Sequence, residues 1–139
     1  MSDELNDWNA QIIEEFRGNA GKVGGMFDGA PLLLLHTTGA KSGKERISPL
    51  MYQALDGDSI AIFASKGGAP DNPDWFHNVK ANPEVEVEVG TRQQKFVARV
   101  AEGEERDTIW TRQKGSFPQF AGYEEQTDRT IPVVVLDVA

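Results

Sequence analysis

A mainly β architecture of the α+β class, an antiparallel β-barrel flanked by helices, is what this sequence predicts. Three observations carry the expectation. There are about six strand-like runs, most of them separated by short turn signals. Helical periodicity is confined to three segments. Strands and helices do not alternate as βαβ units, which disfavours a doubly wound sheet.

The elements follow in order. Ser2 is a candidate N-cap, with Asp3 and Glu4 in the first turn, where the helix dipole favours acids. Leu5, Trp8, Ile12 and Phe16 recur at helical spacing with Ile13 beside them, so residues 3–17 read as an amphipathic helix ended by Gly18. Its apolar stripe suits packing on the barrel, capping a pocket or touching a membrane surface. The acidic polar face favours packing. Residues 18–31 are a glycine-rich connector. Leu32–Leu35 form a continuous apolar run, the pattern of a strand covered on both faces. Residues 46–54 and 59–64 read as two strands joined by a hairpin at Asp56-Gly57-Asp58. Asn72 is expected to cap a short helix with Pro73 in its first turn, running to Ala81.

Residues 84–89, EVEVEV, alternate strictly. Val85, Val87 and Val89 should face inward, and Glu84, Glu86 and Glu88 should be exposed. Residues 93–101 supply another strand and 103–114 a helix, with Ile109 and Trp110 inward. Residues 115–129 are expected as loop, and IPVVVLDV closes the chain as the last strand.

The 139 residues are expected to form one domain, with residues 1–30 as N-terminal helix and connector. With 39% hydrophobic and 26% charged residues, the chain has the composition of a soluble globular protein. It contains no cysteine, which excludes thiol chemistry, Cys-based metal sites and disulfides. A formal charge of −8 argues against a nucleic-acid partner. No segment is apolar enough to span a membrane, and the acidic N-terminus is not a signal peptide. A cytoplasmic location is expected, with peripheral contact at the inner face of the membrane left open.

Charge is uneven along the chain. Residues 41–80 hold five acids and five bases, while the segments on either side each carry a net −4. Within that neutral third lies TTGAKSGKERISPLMY, residues 37–52, where Lys41, Lys44 and Arg46 fall within six residues beside a glycine turn. Glycines let backbone N–H groups approach an anion, and converging Lys and Arg complete such a cradle. A solvated hairpin tip is the alternative reading. The segment is not a P-loop: three residues rather than four separate Gly39 from Gly43, and Glu45 follows Lys44. GxGxxG and GxSxG motifs are absent. His36 and His77 are the only histidines and lack metal-site spacing. His36, ending an apolar run, is expected to be packed or hydrogen-bonded.

Four blocks in one order, TTGAKSGKER, SPLMY, FASKGGAPDNPDWFHNVKANPEVEVEVG and TDRTIPVVVLDV, closely resemble the deazaflavin-dependent nitroreductase family of actinobacterial oxidoreductases. The resemblance covers about residues 30–138. It implies a split antiparallel β-barrel and the cofactor F420, with FMN as the less favoured alternative. It implies that Lys41, Ser42 and Arg46, with Lys44 beside them, cradle the phosphate and oligoglutamate tail. Ser48, Pro49, Leu50 and Met51 match the strand along the deazaflavin ring, and Ala64, Ser65, Lys66 and Gly67 the loop on its other side. Trp75, Phe76, His77 and Asn78 match the helix lining the cofactor channel, and Tyr123 a tyrosine of the substrate pocket.

The implied activity is hydride transfer from reduced F420 to a quinone, nitroaromatic or other activated acceptor. A deazaflavin carries the hydride chemistry itself, in keeping with a chain that has no credible triad or metal site. The protein must then place a donor near the acceptor's developing negative charge, for which Tyr123 and Ser65 are the catalytic candidates. Acidic Glu124 and Glu125 beside Tyr123 depart from the family pattern, which leaves the acceptor open. An FMN oxidoreductase, or a carrier of F420 or a lipid-like ligand without turnover, remains the alternative.

Overall fold

The computed structural model describes residues 11–18, 32–40, 43–55, 57–65 and 71–139. Six strands close into an antiparallel barrel in the order β1-β2-β3-β6-β5-β4. They are β1 (Leu32–Thr38), β2 (Glu45–Ala54), β3 (Ile60–Phe63), β4 (Glu84–Val89), β5 (Arg92–Val100) and β6 (Val133–Val138). Helix α1 covers residues 11–18 of those described. The others are α2 (Asp74–Ala81), α3 (Gly103–Ser116) and α4 (Gln119–Glu125).

The apolar run of β1 is covered on both faces, as its composition requires. Leu33 and Leu35 point into the barrel with Ile62, Val87, Phe96, Val134 and Leu136. Leu32 and Leu34 point outward and pack on Phe16 of α1, with Ile12, Ile13, Ile47 and Met51 at the margin. The helical stripe predicted for the N-terminal segment therefore seats on the barrel; its predicted members Leu5 and Trp8, the cap at Ser2 and most of the glycine-rich connector lie outside the described residues.

β3 and β6 divide in the same way. Ile60, Ile62, Val134 and Leu136 fill the barrel. Ala61, Phe63, Val133 and Val135 face outward under Ile109 and Trp110 of α3 and Phe120 of α4. Trp75, Phe76 and Val79 of α2 join the barrel interior, so this short helix plugs the barrel rather than lying on its outside. Burial of each such large apolar side chain contributes about 1.5–3 kcal/mol.

Three expectations need correction. Residues 115–129 are not all loop: α3 runs on to Ser116, and α4 follows over Gln119–Glu125. Phe120 supplies the reason, since its buried ring packs against Phe63 and Trp110 at centroid distances of 5.6 and 6.1 Å. The outward glutamates of β4 are not all exposed. Glu84 is, but Glu86 and Glu88 are half-buried, as is Val89. Gln93 donates to Glu86 at 2.6 Å, and α1 covers Glu88. Asn72 does not cap α2: Pro73 occupies the cap position and no side chain bonds there. The Asn72 amide oxygen instead accepts from Arg129 at 2.7 Å.

Candidate functional site

The barrel is zipped unevenly, and its unpaired edge is the candidate site. β2 pairs with β1 along Leu32↔Met51 through Thr38↔Glu45. On its other edge it pairs with β3 only over Tyr52↔Ile62, Gln53↔Ala61 and Ala54↔Ile60. Continuing that register would set Leu50 opposite Ala64 and Pro49 opposite Ser65. The ladder stops short, so β2 from Glu45 to Met51 has no strand on this edge among the described residues. The slot between this edge and the exit of β3 is flanked by segments that the family resemblance matches to the ring: Ser48–Met51 on one side, Ala64 and Ser65 on the other.

Strand alternation sorts the side chains of β2. Ser48 and Leu50 are partners of Leu35 and Leu33 and share the inner face, where Leu50 and Tyr52 pack against the barrel core. Pro49 and Met51 share the outer face with Leu34 and Leu32. Met51 packs against both outer clusters, the one under α1 and the one under α3 and α4. Tyr123, half-buried on α4, borders the second of these, with its ring edge-on to Phe120 at 5.2 Å.

Beyond the slot lies the cationic turn. Gly43 adopts φ = +70°, a conformation that favours glycine, and its N–H bonds the Gly39 carbonyl at 3.0 Å. The Gly39 N–H bonds the Lys44 carbonyl at 2.8 Å, closing the turn. Lys44 and Arg46 are exposed. Arg46 is the cross-strand partner of Thr37, which places it on the face of α2 and not on the outer face of Glu45 and His36. Lys41 and Ser42, like Lys66 and Gly67, lie outside the described residues.

Helix α2 connects with this turn through Asn78. Its amide oxygen accepts from the Ala40 N–H at 2.9 Å, and its amide nitrogen donates to Thr37 Oγ1 at 3.2 Å. Trp75 and Phe76 are buried in the barrel core, so their rings form an interior wall. His77 is exposed, with Phe76 edge-on at 5.9 Å. At the slot, Ser65 is buried and Ala64 fully so.

Two polar clusters that the sequence did not predict frame this region. Arg129 Nη1 donates to the Ala64 carbonyl and Asn72 Oδ1, and Nη2 to the Ser65 carbonyl, at 3.1, 2.7 and 2.9 Å. On the outer face, Arg17 of α1 grips Glu88 of β4 with Nε and Nη2 at 3.1 and 2.7 Å. His36 Nε2 lies 2.6 Å from the same carboxylate. The hydrogen bonds from Arg17, and secondarily from His36, outweigh burial and hold the Glu88 carboxyl below the usual range. Since ionised Glu88 only accepts, Nε2 carries the His36 proton. A spacing of 52 residues between His36 and Glu88 gave no local signal.

Glu124 is also accounted for. It accepts from Trp110 Nε1 at 2.6 Å and from Lys114 at 3.1 Å. Burial pushes its carboxyl up, but the bonds from Lys114 and Trp110 prevail and hold it below the usual range. The acid beside Tyr123 thus anchors α4 on α3. Among the described residues no group of three or more could hold a metal ion. A cavity of about 550 Å³ between α3 and the β2–β3 hairpin is lined by Leu55, Ser59, Arg99 and Arg112 among others and touches none of the slot residues. Its Arg99 is already held by Glu105 and Asp137.

The sequence matches the family model of F420H(2)-dependent quinone reductases over residues 8–138. The chain belongs to that family. It is 43% identical over 125 residues to the F420H(2)-dependent quinone reductase Rv1261c of Mycobacterium tuberculosis, covering 87% of this chain and 83% of that protein. Among solved structures it is similar to an F420-H2 dependent reductase, FDR-A, with a TM-score of 0.69 and 45% identity over 77% of this chain and 94% of that one. A chain described as a domain-swapped dimer matches with a TM-score of 0.71 and 39% identity over 98% of each. The heme storage protein HutZ of Vibrio cholerae shares the fold alone, at 16% identity over 94% of this chain and 90% of that one, with a TM-score of 0.58. No helix among the described residues is long and apolar enough to cross a membrane.

Proposed function

We propose that this protein oxidises reduced F420 and delivers the hydride to a quinone. The observation that carries the proposal is the family match over residues 8–138. The described residues fit such a cofactor. An exposed Arg46 and Lys44 follow a glycine turn, which suits an anionic tail. A slot between β2 and the β3 exit suits a flat ring. When bound, the deazaflavin supplies a hydride in a single two-electron step.

Arg46, with Lys44 and the turn residues Lys41 and Ser42, would hold the tail, charge against charge. Ser48–Met51 and the segment from Ala64 through Gly67 would flank the ring. Trp75 and Phe76 back the site from the barrel interior. His77 is exposed on α2, and the buried Asn78 braces the turn assigned to the tail. Converting a quinone to its hydroquinone takes one hydride and one proton, and negative charge develops on the quinone oxygen. The Tyr123 and Ser65 hydroxyls are the groups assigned to stabilise that oxygen and give it the proton, which solvent replaces. Tyr123 and Met51 border one outer cluster, which supports placing the acceptor on that side. Nitroaromatic and other activated acceptors obey the same chemistry, and the family name favours the quinone.

Paired titrations with oxidised F420 and FMN test the cofactor. The long anionic tail should make F420 the tighter ligand by about tenfold or more. Tighter binding of FMN would replace this reading with a flavin enzyme.

A further inference from the structure

We propose that Arg129 is the positioning residue of the cofactor slot, fixing the exit of β3 across the gap from β2. The inference rests on the F420 reading above and assigns a role to a residue outside the segments assigned to touch the cofactor.

The geometry begins where the sheet ends. β3 pairs with β6 as far as Phe63↔Val133, and the Ala64 N–H still reaches the Pro132 carbonyl at 3.0 Å. Past that point the chain leaves the ladder, and buried carbonyls there need donors. Arg129 provides them. Its guanidinium bonds the carbonyls of both Ala64 and Ser65 and, through Nη1 again, Asn72 just before α2. One planar group thus joins the β3 exit, the start of α2 and the segment leading into β6.

The sheet itself has no donor for either carbonyl: Ala64 faces Pro132 on the approach to β6, the continued β2 register sets Ser65 opposite Pro49, and proline has no N–H. Three more rungs of the β2–β3 ladder, from Met51 opposite Phe63 to Pro49 opposite Ser65, would close the slot. Arg129 supplies both missing donors and so fixes the β3 exit across from the open edge of β2. Asn72 draws the same guanidinium toward α2, which sets where the Ser65 hydroxyl stands relative to Ser48–Met51. A lysine keeps the charge but has no rigid fork to span three acceptors.

Full-length Arg129→Ala and Arg129→Lys are compared with wild type by fluorescence titration with oxidised F420, each at a temperature where circular dichroism shows it folded. Arg129→Ala should raise Kd for F420 by about tenfold or more, and Arg129→Lys should recover less than half of that loss on a logarithmic scale. With reduced F420 in turnover, kcat/KM for the cofactor should fall while the quinone KM changes little. A purely structural arginine would lower Tm and leave Kd of the folded protein at the wild-type value; that result overturns the proposal. Should Arg129→Ala fail to fold, Arg129→Lys decides: a wild-type Kd overturns the proposal, and a rise of about fivefold or more supports it. If wild-type protein itself binds no F420, the cofactor reading fails first and this inference falls with it.

Discussion

Asn78, on the helix that plugs the barrel, donates a hydrogen bond to Thr37 Oγ1 at 3.2 Å, and both side chains are buried. The other end of the same amide accepts the Ala40 N–H at 2.9 Å. One side chain therefore ties α2 to the end of β1 and to the first residue of the cationic turn. The resemblance placed Asn78 along the cofactor channel. In the folded chain its amide supports the turn that would bind the tail.

Asn78→Ala removes both bonds and leaves a buried Thr37 hydroxyl and a turn amide without that partner. The expected loss of stability is about 1–3 kcal/mol, measured by urea denaturation. F420 affinity should fall by about fivefold or more. Asn78→Asp keeps the acceptor for Ala40 and should retain more affinity than Asn78→Ala. Equal affinities for wild type and Asn78→Ala would separate α2 from tail binding.

Arg46 tests the tail directly. It is exposed and shares a face with Thr37. Arg46→Ala should weaken F420 binding by about tenfold or more at low salt, and the gap to wild type should narrow as salt screens the contact. Fluorescence titrations at two ionic strengths give both numbers. Unchanged affinity at low salt would move the tail elsewhere.

Tyr123→Phe keeps the ring that packs on Phe120 and removes only the hydroxyl. Turnover with a quinone should fall by about tenfold to a thousandfold with F420 affinity nearly intact. A variant that turns over at the wild-type rate makes Tyr123 a wall of the pocket and leaves Ser65 as the donor.

Acid stability tests the outer cluster. Arg17 first, and His36 after it, favour the ionised form of Glu88, so its folded pKa lies below the unfolded value. The sign follows: this contribution is present above the ordinary carboxylate pKa and is lost as pH falls through the lowered folded value. Glu88→Gln should lower Tm by about 3–5 °C near neutral pH. The two melting curves should converge in acid below the carboxylate range. A constant gap across that window would mean that Glu88 contributes through packing and not through charge.

The barrel was legible because its signals are local. The alternation of EVEVEV, the apolar run of Leu32–Leu35 and the glycine at the β2–β3 hairpin each specify a strand or turn within a few residues. The cationic turn was legible for the same reason. What escaped was non-local. Arg129 and Ser65 are 64 positions apart, and Arg17 and Glu88 are 71 apart, so no spacing rule connects them. Asn72 had the composition of an N-cap, but a guanidinium from the far side of the sequence competes for its oxygen and wins. Helix α4 was missed because its pattern is short and weak, while Phe120, packed on Phe63, holds it in place.

Anaerobic turnover tests the central claim most directly. Purified protein is mixed with reduced F420, and the return of the oxidised deazaflavin absorbance is followed before and after a quinone is added. The account predicts little oxidation without quinone, rapid oxidation with it, and one hydroquinone formed for each F420 oxidised. Tight F420 binding with no oxidation by any quinone tried would contradict it and make the protein a carrier of the cofactor.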